Sequence, residues 1–248
     1  MQSQRVFEIE LARNGFSSGQ QTQFELVRDL PDVPVLSETL LMMELMVHSR
    51  SVDLREISQL ILGDLGAALQ VLRLAGRESC FIEELPTRIE DCISGLGMQA
   101  CLEAMSRRVI SRSAVRSELM ETWIHARNVA EAARSLADEF CVNPEDAYLV
   151  GLFHSIGSLP SALGWWQTPP IAGHPDAVGM RMAQAWSLPR CVADYFAAHW
   201  SSTEANLWRE LVQRAHHQSA TVNHSGCVLH EHVPMHRSIG ALAHAFSS

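Results

Sequence analysis

Lysine is absent from the 248-residue chain, so every one of its 19 basic residues is arginine. Without an amine side chain, Schiff-base chemistry and a P-loop grip on phosphate are excluded. An excess of positive charge is also lacking. Against 28 acidic residues the net charge is −9, whereas nonspecific nucleic-acid binding needs a basic footprint. Nucleic acid is therefore not expected as a partner. The six cysteines, Cys80, Cys92, Cys101, Cys141, Cys191 and Cys227, form no C-x-x-C pair. Scattered in half-apolar contexts, they read as small reduced hydrophobes rather than a disulfide framework. No apolar run reaches the length of a membrane span, and the opening MQSQRVFEIE lacks the apolar core of a signal peptide. The expectation is a cytoplasmic protein with no membrane partner.

What is present is a folded composition, 47% hydrophobic and 19% charged, enough for a large core in one or two domains. Residues 1–23 end in a Gly/Ser/Gln run and read as an arm. Leu30-Pro31-Asp32-Val33-Pro34 holds the chain extended. Ser37 is placed to cap a helix whose Leu40, Leu41, Met43, Leu45 and Met46 are dense enough for deep burial. Asp53-Leu54-Arg55-Glu56 and Thr87-Arg88-Ile89-Glu90 have capping-box spacing. Between them Asp64 starts a helix with Ala68, Leu72 and Ala75 on one stripe and Gly76 at its stop. Further helices are expected from Met98 to about Val115, over Glu121–Phe140, from His174-Pro175, and from Leu188-Pro189 to His199-Trp200. Short helices with tight turns, and no alternating strand pattern, make the fold class all-α.

The central stretch is Tyr148-Leu-Val-Gly-Leu-Phe-His-Ser-Ile-Gly-Ser-Leu-Pro160, an apolar helical run with His154 in its middle. Asn143 suits the N-cap, Pro144 the first helical position, and Asp146 the positive helix end. Gly151-Leu-Phe-His154-Ser155-Ile-Gly157-Ser158 resembles the signature helix of the HD superfamily of metal-dependent phosphohydrolases, roughly GLLHDIGK. The spaced segments LPDVPVLSETLLMMELM, SVDLREISQLILGDLGAALQVLRLAG, TRIEDCISGLGMQACLEA and HPDAVGMRMAQAWSLP occur in the order found in HDOD domains, a related family of bacterial signalling proteins. The usual Asp-Pro corner is Asp64-Leu65, and the usual Leu-Ala-Asn is Leu74-Ala75-Gly76. The resemblance implies an HDOD domain over 24–217, with an N-terminal helical subdomain (24–115) packed on an HD-like helical core (116–217). A partly ordered tail would follow over 218–248.

In catalytic HD proteins a His on an earlier helix, a His-Asp pair on the central helix and a later Asp hold the metal, and the metal acidifies the attacking water. By position these become His125, His154, Ser155 and His216, with the signature lysine replaced by Ser158. Additional histidines match His174 and His199. The resemblance thus implies a vestigial pocket of His125, His154, Ser155, His174, His199 and His216, with no catalytic residue and no cofactor. A weakly held divalent transition metal on His125, His154, His174 and His199 is the one cofactor the imidazoles leave open. Apart from the resemblance, a lone imidazole in an apolar helix also reads as a hydrogen-bonded core residue. His230-x-His232 in the tail offers an adventitious metal contact at most. Arg108, Arg112 and Arg116, spaced i, i+4, i+8, read either as a strip for an anionic partner or as a solvated face.

The resemblance implies a non-catalytic signalling module acting by protein–protein contact or small-ligand sensing. The alternative is a metal-dependent phosphohydrolase with an altered His-rich site. The signalling partner and the oligomeric state are not encoded in any motif.

Overall fold

The computed structural model describes residues 32–48, 53–78, 88–110, 117–165, 175–197 and 205–224. The N-terminal half comprises β1 (Val35–Leu36), α1 (Ser37–Val47), α2 (Leu54–Leu62), α3 (Leu65–Glu78), α4 (Ile89–Leu96), α5 (Met98–Ser106) and β2 (Val109–Ile110). The C-terminal half comprises α6 (Ser117–Leu136), α7 (Pro144–Phe153), a 3-10 turn (Ile156–Ser158), α8 (Leu159–Ala162), α9 (Pro175–Ala185), α10 (Arg190–Ala197) and α11 (Ala205–His224). The fold is all-α. Among the described residues the only strands are the two-residue β1 and β2, paired in parallel with Val35 opposite Val109.

The corner between α2 and α3 joins the two halves. The helices meet at 115°, and Asp64 at the bend is 1% exposed. Its Oδ1 accepts hydrogen bonds from the Gly66 and Ala67 N–H groups at 2.9 and 3.4 Å, satisfying donors that the first turn of α3 would leave unpaired. The same oxygen accepts from Trp123 Nε1 on α6 at 3.0 Å. Oδ2 accepts from the Leu36 N–H at 2.8 Å. Burial pushes the Asp64 carboxyl upward from its ordinary pKa, while the bonds from Leu36, Trp123 and Thr39 oppose it. Close by, the Tyr148 hydroxyl of α7 donates to the Leu62 carbonyl at 3.0 Å.

A second seam runs along α3. Arg73 pairs with Asp32 at 2.8 Å and lies 5.2 Å from the ring centroid of Trp186, just past the end of α9. Three residues on, a Cβ at Gly76 would lie 2.7 Å from Ser187 Cβ and 2.9 Å from its carbonyl oxygen. Ser187 itself has φ +51°. Glycine at 76 is thus required by close approach of the backbone, which accounts for its place in the Leu74-Ala75-Gly76 triplet.

In the C-terminal half, α6 and α11 pack on α7. The Asn143 side chain caps α7, accepting from the Glu145 and Asp146 N–H groups, with Pro144 opening the helix. Ala147 through Phe153 are all buried, so this helix is apolar all round, as befits one enclosed by others. A Cβ at Gly151 would lie 2.7 Å from Ala130 Cα, and one at Gly157 would run into the Pro175 carbonyl. Both signature glycines are fixed by packing.

Several expectations need correction. The central helix does not run unbroken to Pro160. It stops at Phe153, with His154 as its C-cap, and resumes as the 3-10 turn and α8. A continuous helix would drive the Pro160 ring into the Ile156 carbonyl. Nor does α5 reach Val115. It ends at Ser106, and the Val35 N–H bonds the Arg108 carbonyl at 2.9 Å, turning the chain into β2. Arg108 is therefore not on a helix; the other two members of the expected strip, Arg112 and Arg116, lie outside the described residues. Ser37 is the first residue of α1, with Leu36 as its N-cap and no side-chain cap. Leu41 and Leu45 are 56% and 55% exposed, so α1 is not deeply buried. Helix α3 continues past Gly76 to Glu78, and α11 continues past Ser219 to His224. Arg88, without a side-chain cap, precedes α4; Thr87 is outside the described residues, as are the arm over 1–23 and residues 225–248 of the tail.

The Asp64 network predicts an ordered pair of stability losses. Asp64→Ala should cost about 3 kcal/mol, because five donors lose their acceptor, whereas Trp123→Phe should cost nearer 1 kcal/mol. Urea unfolding measures both. Equal losses would show that the Trp123 bond accounts for all that Asp64 contributes and that the backbone donors do not depend on it.

Candidate functional site

Three helices each bring one imidazole to a common point. His125 stands on α6, two residues beyond the anchored Trp123. His154 caps the C-terminal end of α7. His216 stands on α11, next to the buried Ala215. The ring centroids of His154 and His216 are 4.6 Å apart and nearly perpendicular. Those of His125 and His216 are 4.9 Å apart, and those of His125 and His154 5.3 Å. One nitrogen from each ring lies within 4.8 Å of the others.

The His154 ring is the best fixed. Its Nδ1 lies 2.6 Å from the Gly151 carbonyl oxygen. A carbonyl can only accept, so Nδ1 carries the proton and the Nε2 lone pair is free. Burial is the main cause that pushes its pKa down to about 3, helped by the like charge that His216 and His125 would carry. His216 is shifted down as well, by burial first and then by His125 and His217. His125 sits at the exposed side of the group, and the desolvation it does experience lowers its pKa as well. Near neutral pH the group is three uncharged imidazoles with lone pairs available. So low a pKa makes His154 a poor general base at pH 7.

The flanking residues show what was exchanged. Ser155 follows His154 directly, and its Oγ is buried with no hydrogen-bond partner. Ser158 Oγ donates to the Ser155 carbonyl at 2.7 Å, a local turn contact. Of the expected pocket, the structure brings together His125, His154 and His216; His174 and His199 lie outside the described residues. His216, outside the four histidines expected to hold a metal, joins His125 and His154 here; its signal in the sequence is Ala215-His216 standing where relatives place Ala-Asp.

The model of the HDOD domain family matches residues 33–164, more than half of the chain. The chain belongs to the HDOD family. No curated protein matches the sequence. Two crystal structures of the MmoQ response regulator from Methylococcus capsulatus str. Bath share the HDOD chain's fold. One superposes with a TM-score of 0.61 at 17% identity, covering 79% of this chain and 89% of that one. The other, of fragment 20–298, gives 0.59 at 18% identity, covering 78% and 86%. The family match stops at 164, so this HDOD chain draws its third imidazole from a helix beyond it.

The donor set can be tested against the metal of the related HD phosphohydrolases. Hard divalent cations require carboxylate oxygens for charge and geometry. Among the described residues the cluster contains three imidazoles and no carboxylate, and Ser155 carries a hydroxyl where the signature has Asp. The residues do not fit that centre, and no hydrolytic step follows from them.

The depressed His154 pKa gives a pH prediction. A base whose folded pKa lies below its unfolded value binds fewer protons when folded. Its contribution to stability is complete above the unfolded value near 6.5 and is lost as pH falls from there toward about 3. In EDTA-containing buffer, His154→Asn should therefore lose less stability than the unaltered chain between pH 7 and 4, read as urea midpoints. Parallel pH profiles would mean that His154 is not held neutral.

Proposed function

We propose that this HDOD protein is a non-catalytic regulatory module, acting through protein–protein contact or through a small ligand in the relic of the metal pocket. The observation that carries the reading is the exchange of anionic ligands for neutral ones at fixed scaffold positions. Gly151, His154 and Gly157 remain in signature spacing, while Ser155 and His216 occupy the places of the two aspartates. Without that charge, the site lacks the means to neutralise a hard cation and to orient its bound water. The fold shared with a response regulator is compatible with this role. A bacterial, cytoplasmic setting belongs to the same reading, supported by Cys92, Cys101, Cys141 and Cys191 standing outside any disulfide and by the absence, among the described residues, of any single helix long and apolar enough to cross a membrane. Partners are then signalling proteins that contact the helical surface.

The alternative of a phosphohydrolase is separated by assay. Purified chain incubated with Mn, Ni or Fe and with phosphodiester and nucleotide substrates should show no turnover above the metal-only background. Turnover that disappears in His154→Ala would defeat the regulatory reading and establish an enzyme.

A further inference from the structure

We propose that His125, His154 and His216 form a mononuclear site for a late, borderline-soft divalent ion of the zinc class, with the fourth position open on the His125 side. This deepens the regulatory reading by naming the small ligand; it rests on that reading for its consequence and on geometry alone for binding. Zinc binds imidazole nitrogen at about 2.0–2.1 Å, which in a tetrahedron requires nitrogens roughly 3.4 Å apart. The three nitrogens already lie within 4.8 Å of one another, so ring rotations of modest size close the shell. His125, the exposed member, has the freedom to swing.

Two features favour occupation by this class of ion. First, the Nδ1–H of His154 is committed to the Gly151 carbonyl, the outer bond that orients a ligating imidazole and aims Nε2 at the ion. Second, an all-imidazole set suits Zn, Ni or Cu and discriminates against Mg and Mn, which prefer oxygen. The exchange of Asp for His at 216 therefore changes which metal the pocket takes.

The consequence is structural. The ion would tie α11, which lies beyond the family-matched stretch, to α6 and the end of α7. Metal availability would then set how firmly α11 is held, which gives a partner bound over α11 something to read.

The test uses the full chain, stripped with EDTA and dialysed into metal-free buffer. Titration with ZnCl2 by calorimetry should saturate at one equivalent, and MgCl2 should give no signal. His216→Ala and His125→Ala, checked for folding by circular dichroism, should each weaken zinc by about 100-fold or more. The tail variant His230→Ala/His232→Ala should retain binding. Zinc should raise the melting temperature of the unaltered chain and leave that of His216→Ala unmoved. Should either single variant fail to fold, CoCl2 on the unaltered chain decides: intense visible absorption of tetrahedral Co(II) supports the site, and the faint spectrum of the hydrated ion overturns it. Absence of saturable binding, or binding lost in the tail variant and kept in His216→Ala, overturns it too. The two readings fail separately. Zinc binding with turnover defeats the regulatory role and keeps the site, whereas no binding and no turnover defeats the site alone.

Discussion

A single buried carboxylate holds the two halves of this molecule in register. Asp64 caps α3, secures β1 through Leu36, and takes the indole N–H of Trp123 on α6. The cost of burying a carboxylate is offset only because its lone pairs meet donors on several elements at once. The arrangement reaches the candidate site as well. Trp123 stands two residues before His125, so the turn of α6 that presents His125 is pinned from the N-terminal subdomain. The Tyr148 bond to Leu62 does the same for α7, which carries His154. The histidine cluster is positioned by the contact between subdomains as much as by the HD-like core.

Set against the HD signature, the site differs in charge. A His/His-Asp/Asp set brings two negative charges to its cation. Here a hydroxyl and a third imidazole leave the set neutral. Steric features of the scaffold, the close contact of Gly151 with Ala130 and of Gly157 with Pro175, do not depend on those charges. Loss of the hydrolytic donor set is therefore compatible with an intact fold, and the histidines keep a defined geometry in which their lone pairs converge.

Much of this was legible in the sequence where the determinants are local. Asn143-Pro144 and Asp53 are cap signals acting within a few residues, and the structure places both as N-terminal starts. The all-α class followed from helical spacing and frequent stop signals. What escaped was set at a distance. Apolar density in α1 says nothing about which side faces the core, so the exposure of Leu41 and Leu45 was not evident. Helix α5 gives way at Ser106 because residues 109–110 pair with a strand some seventy positions earlier, a long-range competitor that no periodicity reports. Pro160 does announce a break in the helix, against the apolar run that continues through it. For the site, His125 and His154 came from the resemblance. His216 was recognised as standing in an aspartate's place, but its convergence with them depends on how α11 crosses α6.

The approach of Gly76 to Ser187 ties two positions more than a hundred residues apart into one steric unit. Position 76 cannot change alone without a clash, since any side chain there meets a residue already in the left-handed region of backbone space. Substitutions at these two sites should accordingly be epistatic, and any lineage carrying an asparagine at 76 must have rerouted the turn after α9 to admit it.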